Sequence, residues 1–298
     1  MSVTAVGTVR SCGATTVALG LAATWPSDRR VLLIEADPAG GTLAASAGFP
    51  AEPSLVSLAA AVRRTDAVEL AITHTHRLPN GAPALTAPAT AEQSERALAL
   101  LTRLFAHVGE LDIDVLLDCG RLTPITDAAP AGTDRVARTN TDRLLAADRA
   151  ILVARPQLPD LHALGGFFDH PRLATARNDG RLSLVLVGNG PYSDAEIAEV
   201  LGVPVIARLP LEPDTAVALA TTAADARELR RTPLVRELRS LSALLAPPSA
   251  DVPDPAPLEE IASTDRSRGR FRSLVRVATD HPHRANGVHA NGTSGAAR

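Results

Sequence analysis

An α/β fold, a mostly parallel sheet flanked by helices, is what this sequence predicts, and three observations carry that expectation. Short apolar runs of strand length alternate with segments of helical period over residues 1–246. Two of those runs end in carboxylates and the first ends in a loop of small residues, at the strand ends where open α/β sheets keep their ligands. Of the 298 residues 45% are hydrophobic, enough for one large core, and with aromatics at 2% that core falls to Ala, Leu and Val.

Taken in order, residues 3–9 (VTAVGTV) form an apolar run fit for a buried strand. Arg10, Ser11, Cys12, Gly13, Ala14, Thr15 and Thr16 follow as a loop, and 17–24 (VALGLAAT) reads as a helix. Strand, small-residue loop and helix make a phosphate cradle, because backbone N–H groups at such a helix start hold an anion. The run 29–41 (RRVLLIEADPAGG) places Glu35 and Asp37 at a strand end, where carboxylates are costly without a partner. Residues 54–64 and 91–108 carry apolar positions near 3.6 periodicity, and 83–88 (PALTAP) between them read as a short strand.

The run 112–119 (DIDVLLDC) predicts a strand with Asp118 at its end, and 122–142 read as a loop rich in Thr, Pro, Ala and Asp. Further strands are expected at 150–156 (AILVARP), at 182–189 (LSLVLVGN), which ends on Asn189, and at 203–208 (VPVIAR). A helix over 194–201 precedes the last of these, the turn 209–214 (LPLEPD) with Pro210 follows it, and 234–245 is the closing helix. Cys12 and Cys119 fall beside the loop and beside Asp118. Two thiols make no zinc site without His partners, and a pair of small buried hydrophobes is the ordinary reading.

Beyond residue 246 the composition changes. Residues 247–298 read as a disordered Pro/Arg-rich tail, beginning with the acidic, Pro-rich stretch 247–260. Within it the segment from Arg266 to Val277 (RSRGRFRSLVRV) has five arginines in twelve residues, with Phe271, Leu274 and Val275 at i, i+3, i+4. A helix there would be basic and amphipathic, suited to an anionic membrane surface or a partner. A net charge of −3 and the lack of any specific nucleic-acid motif argue against bulk attraction to nucleic acid. No signal peptide is visible and no run reaches the roughly 20 apolar residues of a membrane span. The expected location is cytoplasmic, with peripheral contact at the inner face of the membrane through the arginine segment.

All 30 basic residues are arginine. A GC-rich coding bias accounts for Arg in place of Lys in general. It does not account for Ala14, since Arg would have kept the charge.

These motifs resemble the MinD/ParA family of deviant Walker-A ATPases, whose loop reads K-G-G-x-G-K-T-T and whose next strand ends D-x-D-P-x-G. Val9 stands where the family's signature lysine sits and Ala14 where its Walker lysine sits, while Gly13, Thr15 and Thr16 are kept. Glu35 and Asp37 take the two acidic positions, and Asp118 the Walker-B carboxylate, followed by Cys119-Gly120-Arg121-Leu122 in place of T-P-P-G. The resemblance spans residues 1–246 and implies a P-loop fold with ATP and magnesium as cofactors. It implies a nucleotide site of Arg10, Ser11, Cys12, Gly13, Ala14, Thr15, Thr16, Asn189 and Pro210, with Asn189 and Pro210 at the adenine. Thr15, Glu35, Asp37 and Asp118 are the implied magnesium residues, with Asp37 and Asp118 the catalytic pair. Loss of both lysines implies a degenerate member with weak or absent hydrolysis, acting as a positioning or scaffolding factor in cell division, chromosome partitioning or pilus assembly, as the similar localisation factors TadZ and CpaE do. Protein partners in a localised assembly and a homodimer follow from the same likeness. The rival expectation is a slow ATPase in partitioning or septum placement that uses Arg10, Arg121 or a partner's arginine.

Overall fold

The computed structural model describes residues 2–62, 70–123, 139–221 and 226–247. The expected tail, with its arginine segment, lies outside the described residues, as does most of the expected 122–142 loop.

Eight strands form one sheet: β1 (Val3–Thr8), β2 (Val31–Glu35), β3 (His76–Arg77), β4 (Pro83–Leu85), β5 (Asp114–Arg121), β6 (Arg149–Ala154), β7 (Leu182–Val187) and β8 (Val205–Leu209). Their order is β3-β4-β2-β5-β1-β6-β7-β8. Every pairing is parallel except the edge pair β3–β4. Parallel strands need covered faces, which is why β1, β2 and β6 read as almost unbroken apolar runs.

On one face helix α1 (Ala14–Thr24) packs in a core with Val6, Leu33, Leu116, Ile151, Val153 and Val185 of the sheet. The closing helix Pro233–Leu245 lies on α1, with Leu234, Val235, Leu238, Leu241 and Leu245 buried. Each such aliphatic side chain contributes about 1.5–3 kcal/mol on leaving water. Gly20 permits the approach: a Cβ there would come within 2.4 Å of Leu238 Cδ1. Thr232 starts the closing helix by accepting the Val235 N–H, with Pro233 in the first turn. At the far end of the sheet Asp114 anchors the α1–β2 connection, accepting from Trp25 Nε1 (3.0 Å) and from Arg29 Nε (2.6 Å) and Nη2 (2.9 Å).

The expected helix over 91–108 is broken. It runs as Ala91–Leu100 and Thr102–His107, ending in the 3₁₀ turn Val108–Glu110. The expected 54–64 helix appears as Leu55–Val62. Within the expected 122–142 loop, Asn140 already opens a helix (Asn140–Ala146), started by a capping box between Thr139 and Asp142.

Candidate functional site

β1 lies between β5 and β6, so the carboxyl ends of these three strands open at the centre of the sheet, the customary ligand position of such folds. The loop after β1 folds around a side chain of its own strand. Thr8 Oγ1 donates to the Val153 carbonyl (2.9 Å) and accepts the N–H groups of Arg10 and Cys12, each at 3.3 Å. Ser11 adopts a left-handed φ of 31° and Gly13 one of 95°, the second natural only for glycine. Gly13 is the N-cap of α1 and has no side chain to accept the first N–H groups of the helix. Those N–H groups of Ala14, Thr15 and Thr16, at the positive end of the helix, keep the anion-holding property of the motif. The methyl of Ala14 is 3% exposed, so the cradle has no cation of its own where a lysine would rise.

Three carboxylates gather at the ends of β2 and β5, and their hydrogen bonds divide them by task. Glu35, buried, accepts the N–H groups of Thr42 (2.8 Å) and Leu43 (3.0 Å) on Oε1 and of Ala87 (2.9 Å) on Oε2. It fastens the turn after β2 to the segment after β4. Burial pushes its carboxyl up, against these three bonds. Asp37 accepts the Ala39 N–H (2.8 Å), and its side chain rests on Gly120, where a Cβ would fall 1.8 Å from Oδ2. Its carboxyl too is raised by burial, against bonds from the Ala39 and Arg121 N–H groups.

Asp118 is the carboxylate that meets the loop. It accepts from the Gly120 N–H (3.0 Å) and faces the Thr15 hydroxyl. Burial pushes its carboxyl up to about 7, with the charges of Glu35 and Asp37 adding to the rise. Thr15 and Asp118 therefore lie close together with Asp37 nearby, and Glu35 lies behind them on backbone N–H groups. Among the described residues no group of three or more His, Cys, Asp or Glu side chains forms a ready metal cage. Cys12 and Cys119 are buried free thiols: Cys12 donates to the Arg10 carbonyl (2.7 Å), and burial pushes Cys119 up to about 12. Both are core thiols rather than reactive ones.

A cavity of about 210 Å³ adjoins the loop on the α1 side, walled by Ser11, Cys12, Gly13 and Thr16, by Arg155 and Val187, and by residues 209–213 with Pro210. Its volume falls below the about 300–1,000 Å³ usual for a whole drug-sized ligand. Asn189 does not line it: the residue is exposed, and its carbonyl accepts from Gln157 Nε2 (3.0 Å). Arg10 turns to Asp160 in the first turn of the helix Leu158–Phe168, with Nε 3.1 Å from Oδ1. Sequence reasoning did not single out Arg155, which falls near the end of the run 150–156 and lines this cavity.

No protein-family model and no curated protein sequence matches the chain. Solved structures do. A ParA family ATPase from Chlorobium tepidum TLS superposes with a TM-score of 0.60 at 17% identity, over 81% of this chain and 97% of its own. A chain of the MinC:MinD cell division protein complex of Aquifex aeolicus gives 0.60 at 14%, over 85% and 99%. The septum site-determining protein MinD of Pyrococcus horikoshii, complexed with Mg-ADP, gives 0.57 at 19%, over 82% and 94%. At such identities the likeness is one of architecture: the chain has the fold of the MinD/ParA P-loop ATPases.

Proposed function

We propose that this protein is a degenerate MinD/ParA-like positioning or scaffolding factor that holds a nucleotide and hydrolyses it weakly or not at all. The observation that carries the reading is the approach of the Thr15 hydroxyl to the buried Asp118 carboxylate beneath an uncapped helix start, next to a loop that has Ala14 in place of a lysine. The residues fit a magnesium nucleotide at both ends. The side of the cavity at residues 209–213 takes the base, and the N–H groups of residues 14–16 with the loop side take phosphate oxygens. Thr15 and Asp118 would hold the magnesium, which usually needs only one or two protein ligands beside phosphates and water, and which would supply positive charge to those phosphates. Hydrolysis is a different demand. Phosphoryl transfer depends on fixed positive charge around the transferred group, and Val9 and Ala14 remove the two family cations. The Pyrococcus MinD solved with Mg-ADP supports the cofactor assignment, and the MinC:MinD complex supports a protein partner as the output. The folded domain ends near residue 246, and the segment 266–277 beyond it docks the protein on an anionic surface.

Calorimetry of the full chain with MgADP and MgATP tests this. Saturable binding of either is expected, and the lack of any heat with both would leave a pure interaction module. The rival reading, a slow ATPase, draws its support from the arginines at the mouth of the site.

A further inference from the structure

We propose that Arg155 is the phosphate-binding cation of this site, delivered from β6 in place of the lysine that position 14 lacks, so that the ligand is a nucleoside di- or triphosphate. The inference rests on the nucleotide reading above and names the residue that makes it work without a lysine.

The placement follows from strand register. Thr8 of β1 pairs with Val153 of β6, so the two chains leave the sheet side by side, one into the phosphate loop and the other into Arg155. Ile151 and Val153 point into the α1-side core, and the two-residue alternation of a strand carries Arg155 to that same face. It accordingly lines the cavity together with Ser11, Gly13 and Thr16.

Elimination among the arginines at the mouth gives the same answer. Arg10 is occupied by Asp160, and Arg121 is not part of the cavity wall. Arg155 makes no hydrogen bond or ion pair among the described residues. An uncommitted guanidinium beside the positive end of a helix is electrostatically unfavourable until an anion arrives between them. Its planar fork meets two phosphate oxygens at once, which a lysine does not do.

The test uses the full chain and its variants Arg155→Gln, Arg155→Lys and Arg155→Gln/Ala14→Lys, titrated calorimetrically with MgATP and with inorganic tripolyphosphate. Arg155 is exposed, so each single variant at this position should keep the parent's thermal midpoint. Arg155→Gln should weaken both ligands about tenfold or more, and Arg155→Lys, which keeps the charge but not the fork, should lose distinctly less than Arg155→Gln. Ala14→Lys on the Gln background should return it to within about threefold of the parent. If that double variant misfolds, the Gln and Lys pair decides. Unchanged affinity in Arg155→Gln, or equal losses in the Gln and Lys variants, would overturn the assignment while leaving nucleotide binding in place. A parent chain that binds neither MgATP nor tripolyphosphate would remove the nucleotide reading itself, and Arg155 with it.

Discussion

The hydroxyl of Thr15 faces the carboxylate of Asp118, setting the first turn of α1 beside β5. A buried carboxylate is an expensive group, and Asp118 accepts the Gly120 N–H. The start of α1 and the strand β5 thus meet at a buried carboxylate, and the residue before Thr15 is an alanine.

That cost has a pH signature. Asp118 titrates at about 7 in the folded chain against about 3.9 unfolded, so between these values the folded state binds more protons than the unfolded one. Stability is therefore greatest below about pH 4 as far as this group is concerned, and falls as pH rises through about 7. Glu35 and Asp37, both raised, add slope of the same sign. Asp118→Asn should flatten the slope and exceed the parent in stability above about pH 7. Urea unfolding midpoints of the ligand-free proteins across that range measure this, and parallel profiles for the two would contradict it.

Glu35 should behave as a structural residue. Glu35→Ala strands three backbone N–H groups, at about 1–3 kcal/mol each, so a loss on the order of 3 kcal/mol or more is expected in equilibrium unfolding. A loss below about 1 kcal/mol would show that the turn after β2 does not depend on this carboxylate.

Gly120 and Asp37 should be coupled. Gly120 has a φ of 59°, and a methyl there would overlap the Asp37 carboxylate. Gly120→Ala is expected to cost about 1–3 kcal/mol, and Asp37→Ala should recover part of it in a double-mutant cycle. Strict additivity would mean that the two residues do not press on each other.

The segment 266–277 should bring the full chain to anionic vesicles in flotation, at roughly 1 kcal/mol per arginine near the surface plus burial of Phe271, Leu274 and Val275. Binding should weaken steeply with salt and disappear on removal of residues 247–298. Equal recovery of full and shortened chains would reject membrane docking.

The parallel sheet was legible in the sequence because buried strands must be almost continuously apolar, as 3–9, 31–35 and 150–154 are. Asp37 and Asp118 were legible for a related reason, since a carboxylate ending such a run needs a partner. The division of labour between Glu35 and Asp118 was not, because it depends on which backbone N–H groups the turn at 42–43 and the segment at 87 present. The break of the 91–108 helix near Leu101 was hidden as well: both halves keep the same apolar period. Arg155 escaped because its meaning depends on the register of β6 against β1, a long-range pairing that no local pattern encodes. The thiol pair was legible as bland, and burial of both cysteines agrees with that.

The most direct measurement of the central claim is phosphate release by the full chain at saturating MgATP, run beside Asp118→Ala. The expected result is saturable nucleotide binding with turnover at the background rate in both proteins, because the loop at Ala14 brings no fixed charge to the γ-phosphate. Steady turnover by the unmodified chain that Asp118→Ala abolishes would contradict it and make the protein a working ATPase, with arginine serving hydrolysis as well as binding.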